Sequence, residues 1–136
     1  MIRQLDDRIL VSGQVHPEEI AGLAEQHGIT MLVNNRPDDE EPEQPPASAI
    51  EAAAEAAGLS YRHVPILRGI GPADVEAMQE ALTDAGEGQV LAFCRSGSRS
   101  ALTWALAARS AGRPRDEIER KVEAAGFNVA AIAHLL

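Results

Sequence analysis

The sequence predicts an α/β protein of three layers, with a mostly parallel central sheet flanked by helices. Short apolar runs of strand length, at 29–33 and 89–93, alternate with longer segments whose apolar residues recur every three or four positions. Most of the helical segments open on a proline or acids and close on a glycine, as at 16–28 and 72–86. Strand and helix in alternation build a sheet whose crossovers are right-handed and covered on both faces. At 136 residues the chain is expected to be one domain spanning 1–136, large enough to bury a core.

In chain order, 2–5 and 8–11 read as short strands joined by a turn at Asp6-Asp7. Residues 16–28 read as a helix with Ile20, Leu23 and Ala24 on its apolar stripe, followed by the buried strand 29–33. The segment 34–46 holds four prolines and five acids, so neither strand nor regular helix continues through it. It leaves the C-terminal end of a strand, the edge at which open α/β sheets bind ligands. An alanine-rich helix at 47–57, a strand at 60–66 and a loop at 67–71 come next. The helix 72–85, the strand 89–93 and the helix 98–111 follow, and helical runs at 114–125 and 128–136 close the chain.

The chemistry is expected in Cys94-Arg95-Ser96-Gly97-Ser98-Arg99-Ser100, which joins the strand 89–93 to the helix 98–111. A helix start offers unpaired N–H groups and the positive end of its dipole, both favourable to an anion. Helix N-termini and neighbouring cations also favour the thiolate, which is the nucleophilic form of cysteine. Cys94 is thus the expected nucleophile and Arg99 the charged clamp. Arg95, Ser96, Gly97, Ser98 and Ser100 are the expected substrate-binding residues that cradle the anion. Arg36, first off the strand 29–33 apart from two asparagines, is placed to add charge to the same site.

Composition bounds the partners. A formal charge of −9 argues against nucleic acid or another polyanion. It also leads us to expect the arginines near Cys94 to form a local positive site on an acidic surface. One cysteine makes no internal disulfide, which suits a reducing cytoplasm, and no apolar run has the length of a membrane span. The four histidines share no metal-ligand spacing, so no metal and no cofactor is expected. Asp74 reads as a first-turn helix cap, and Trp104 as core.

The loop resembles that of rhodanese-type sulfurtransferases, with four residues between cysteine and arginine; cysteine-dependent phosphatases place five there, where this chain has Ser100. Ser12-Gly13-Gln14, Val33-Asn34-Asn35-Arg36-Pro37-Asp38, Tyr61-Arg62-His63-Val64-Pro65-Ile66 and the Cys94 loop with Trp104 together resemble one bacterial family. It is the phosphatase-like domain of β-lactamase-hydrolase-like proteins, found alone or fused to a metallo-β-lactamase-like persulfide dioxygenase. The resemblance implies a fold similar to dual-specificity phosphatases, with Cys94 as nucleophile, the 95–99 backbone as anion cradle and Arg99 as clamp. It also implies a persulfide dioxygenase as functional partner.

A phosphatase needs a general acid for the leaving alcohol. The loop 67–71, where the resemblance places it, has no acid, leaving Asp38 or Asp39 as substitutes. A sulfurtransferase needs none. The expected function is therefore sulfur transfer from thiosulfate or a persulfide through a Cys94 persulfide. The alternative is hydrolysis of a phosphoester through a phosphocysteine, and a non-catalytic anion-binding module is the third reading.

Overall fold

The structure, a computed structural model, describes all 136 residues. Five strands, β1 (Ile2–Asp6), β2 (Ile9–Ser12), β3 (Ile29–Asn34), β4 (Ser60–His63) and β5 (Gln89–Phe93), form one sheet in the order β1-β2-β5-β3-β4. Only β1 runs antiparallel to its neighbour; the other pairings are parallel. The helices are α1 (Ile20–His27), α2 (Ala47–Ala56), α3 (Pro72–Ala85), α4 (Ser98–Ser110) and α5 (Arg115–Ala124).

Period-two alternation sorts the sheet's side chains to two apolar cores. One is built from Val11, Met31, Val33, Val90 and Ala92 packed against α3, α4 and α5; the other takes Leu10, Leu32, Leu91 and Phe93 against α1 and α2. Helix α4 lies between α3 and α5, and every residue from Ser100 to Ala108 is buried. Trp104, fully in that core, behaves as the sequence implied.

Three expectations change at their boundaries. The strand expected at 60–66 stops at His63, because Pro65 cannot donate to a ladder. Val64 and Ile66 nevertheless donate to the carbonyls of Asn34 and Asn35, at 2.9 and 3.0 Å, so the chain stays beside β3 past the sheet's edge. The first helix opens with a separate 3-10 turn at Pro17–Glu19. The final segment forms a 3-10 helix at Ala130–Leu135 in place of an α-helix. No helix is long and apolar enough to cross a membrane.

Candidate active site

Ser12, Asn34 and Phe93 stand level in the register of three adjacent parallel strands. The residues that follow them therefore leave the sheet together, at the point where β5 separates β2 from β3. Crevices of this kind, at the carboxyl ends of strands, are where open α/β sheets hold ligands. Two backbone bonds extend the pairing: Cys94 N–H donates to the Ser12 carbonyl at 3.3 Å, and Asn35 N–H to the Phe93 carbonyl at 2.8 Å.

Cys94 is completely buried. Its sulfur accepts the Gly97 N–H at 3.1 Å, directly at the start of α4. Gly97 has φ 95, a left-handed conformation that turns its N–H back toward the sulfur. A Cβ there would lie 3.0 Å from Phe127 Cζ and 3.3 Å from the Ser12 carbonyl. Gly13 meets the loop from the other side: a Cβ on it would come within 2.9 Å of the Arg95 carbonyl oxygen. That close approach accounts for the Ser12-Gly13-Gln14 sequence beside the cysteine loop.

Arg99 projects from the first turn of α4. Its Nη1 and Nη2 each donate to one carboxylate oxygen of Glu40 at 2.8 Å, and Nη1 also donates to the Ile66 carbonyl at 2.9 Å. Three of five guanidinium hydrogens are thereby taken, and the Nε–H with its neighbouring Nη2 hydrogen remains without a partner. This side edge is the one that grips a planar or tetrahedral oxyanion at two points. Glu40, and then the Cys94 sulfur, hold the guanidinium in its charged form beyond its ordinary range.

Glu40 was missed by the sequence reading, which treated the acids of 34–46 as a connector or as general acids. Its carboxylate also accepts Arg36 Nε at 2.9 Å, and these arginines, Arg99 foremost, hold its pKa at about 2. Glu41 bridges Arg36 Nη2 at 3.0 Å and Arg95 Nε at 2.9 Å. Arg36 itself is 4% exposed, with Gln14 Oε1 on its remaining nitrogen at 3.0 Å. The expected unbalanced positive site is thus corrected: Arg36, Arg95 and Arg99 stand against Glu40 and Glu41, so three charges meet two. The signal was present in the sequence as acids four and five residues beyond Arg36, within reach of it on a compact turn.

The other expected residues divide. Ser96 is exposed, and its hydroxyl lies 3.5 Å from the Ser98 N–H as a weak turn contact. The Ser100 hydroxyl is buried and donates to Asn35 Oδ1 at 2.7 Å, while Asn35 Nδ2 donates to the Val64 carbonyl at 3.0 Å. Ser100 therefore clips α4 to the exits of β3 and β4. Asp38 accepts the Ala47 N–H at 2.8 Å at the start of α2, which is a capping role. Asp39 is exposed, with φ 64. Asp74 caps α3 through the Gly71 N–H at 2.8 Å, as expected. His63 Nε2 lies 3.0 Å from the Arg36 carbonyl.

Comparison with known proteins follows the same lines. The model for the phosphatase-like domain of beta-lactamase hydrolase-like proteins matches residues 1–111. The beta-lactamase hydrolase-like protein of Xylella fastidiosa is 40% identical over 130 residues, covering 94% of this chain and 30% of that protein. The chain thus spans about 30% of the length of its curated relatives. The crystal structure of a candidate phosphatase from Neisseria meningitidis is 36% identical, covers 98% of this chain and 95% of that one, and superposes with a TM-score of 0.81. The PTP-2 phosphatase of Cydia pomonella, 17% identical, shares the fold over 99% of this chain and 87% of its own, with a TM-score of 0.74. By its sequence and its cysteine-phosphatase-like architecture, the chain belongs to the phosphatase-like domain family of the beta-lactamase hydrolase-like proteins.

Proposed function

We propose that the chain is a cysteine-dependent phosphatase of small phosphoesters. The observation that carries this reading is the pairing of a buried sulfur, accepting an N–H at a helix start, with an arginine whose side edge is unpartnered. The likeness to phosphatase-like proteins supports the phosphoester alternative of the sequence reading above sulfur transfer.

In the reaction, the phosphoryl group rests on the N–H groups of the 95–99 loop and on the Nε edge of Arg99. Cys94 Sγ forms a bond to phosphorus as the P–O ester bond breaks, and the leaving oxygen takes a proton. Water then attacks phosphorus, the S–P bond breaks, and inorganic phosphate leaves with the thiolate regenerated. Loop and dipole stabilise charge that develops in both steps. Glu40 is not the acid, since both of its oxygens are already held by the guanidinium groups of Arg36 and Arg99. Asp38 is engaged at α2, so Asp39 is the better donor of the two. Aryl phosphates, whose leaving groups need little protonation, do not depend on it.

Sulfur transfer is kept as a second reading because four residues, and not five, separate Cys94 from Arg99. The persulfide dioxygenase partner belongs to that reading and stands or falls with it. A cytoplasmic setting suits either, since both need a reduced thiol. The deciding experiment measures phosphate release from an aryl phosphate beside thiocyanate release from thiosulfate and cyanide, for wild type and Cys94→Ser. Cys94-dependent phosphate release is the expected result. Cys94-dependent thiocyanate without phosphate would replace this reading with sulfur transfer, and neither product would leave an anion-binding module.

A further inference from the structure

Two cavities adjoin the site from different sides, and their linings differ in kind. One, of about 370 Å³, contains no apolar residue and includes Arg36, Arg95 and Glu41. The other, of about 340 Å³, is walled by Ile66, Ile70, Leu102, Ile132 and Leu135, with Arg99 as its cationic member. We infer that this second cavity is the subsite for the organic part of the substrate, and that the substrate is a phosphomonoester of an apolar alcohol or phenol. The inference rests on the phosphatase reading for the reaction, and on the cavity alone for the apolar recognition.

Four features support that occupant. Arg99 belongs both to the anion cradle and to the cavity wall, so an apolar surface stands within one side chain of a phosphoryl group held on its Nε edge. The volume suits a small molecule: apolar cavities of about 150 Å³ hold benzene, and ligand sites begin near 300 Å³. The lining leaves a large apolar side chain open to solvent, Leu135 at 53% exposed, and Leu67, next in sequence to the lining Ile66, is 77% exposed. Finally, a formal charge of −9 repels polyanionic esters, so affinity beyond that for one phosphoryl group has to come from uncharged contacts. The polar cavity is a poorer host for the organic part, because its lining is polar, Glu41 already bridges its two arginines and Glu43 stands on its wall.

The test separates recognition from turnover by using alkylphosphonates, which have no ester bond to break. Calorimetric titration of Cys94→Ser with methyl-, butyl- and hexylphosphonate should give binding that tightens roughly tenfold or more from methyl to butyl. In Cys94→Ser/Leu135→Asn that ratio should fall roughly threefold while methylphosphonate binds as before. Cys94→Ser/Ile70→Asn, at another lining residue, should do the same and guards against a folding effect at one position. Both variants are checked against the parent by thermal melting. Equal affinity along the series overturns the subsite, as does a ratio unaffected by both substitutions in folded protein. A flat series combined with tighter binding of a phosphotyrosine peptide than of phenylphosphonate would overturn it in favour of a protein substrate. Failure of methylphosphonate itself to bind would instead strike the anion cradle, and so the phosphatase reading.

Discussion

Glu40 grips Arg99 end-on, one carboxylate oxygen to each terminal nitrogen at 2.8 Å, and so leaves the Nε edge of the guanidinium without a hydrogen bond. A flexible arginine is costly to order on binding, because its rotamer freedom is lost then. Here Glu40 and the Ile66 carbonyl have already ordered it. The acid in the loop after β3 thus orders the proposed clamp in the first turn of α4, reached across the sheet edge.

Glu40→Gln should lower kcat/KM for an aryl phosphate by roughly tenfold to a hundredfold, because an amide supplies only one acceptor to the two nitrogens. The inhibition constant for inorganic phosphate should rise in parallel. Unchanged phosphate inhibition beside a lowered melting temperature would make the pair merely structural.

The same ion pair fixes a pH dependence. Glu40 has a pKa depressed from 4.5 to about 2, chiefly by Arg99. Its stabilising effect is therefore complete above about pH 4.5 and is lost only as the pH falls through about 2. Titration of Glu40 by carbon-13 NMR of its carboxyl should place its midpoint near 2 in wild type. In Arg99→Ala it should move up toward the ordinary range.

Gly97→Ala should destabilise the fold by about 1–3 kcal/mol, from left-handed strain and the close contacts to Phe127 and Ser12. It should also depress turnover at least tenfold, because the N–H that meets Cys94 Sγ moves with the backbone. Urea denaturation and steady-state kinetics on the same preparation check both.

Ser100→Ala leaves Asn35 Oδ1 buried without its donor and should cost about 1–3 kcal/mol. Asn35→Ala should cost as much or more, since the Val64 carbonyl loses its partner too. A double-mutant cycle on the pair should return a coupling near 1 kcal/mol, and a coupling of zero would mean that the two act independently.

At the far end of the sheet, Asp6 receives Arg113 at 2.7 Å and Lys121 at 2.8 Å, tying the β1–β2 hairpin to α5. Burial raises its pKa, but the hydrogen bonds from Arg113 and Lys121 outweigh that and bring it from 3.8 to about 2. The contribution is present above about pH 4 and lost as the pH falls through about 2. Asp6→Asn should therefore lower the urea midpoint at pH 7, with the difference from wild type shrinking toward pH 2.

Much of this protein was legible in its sequence because the signals were local. Period-two and period-3.6 patterning marks the strands and helices, and glycines and prolines mark their ends. The Cys94 loop announces itself because cysteine, glycine and arginines lie within a few residues of one another. The partition of the 34–46 acids was not legible. Asp38 caps a helix, Glu40 orders Arg99 and Glu41 bridges Arg36 to Arg95, although neighbours of one charge are indistinguishable by composition. Likewise Ser100 reads as a cradle residue and proves to be bound to Asn35, which lies 65 positions away. Sequence alone determined the layered α/β fold and singled out the cysteine loop, since both follow from short-range pattern. Only the register that sets Ser12, Asn34 and Phe93 level decided which acid meets which arginine, because those contacts span strands that are distant along the chain and adjacent in the sheet.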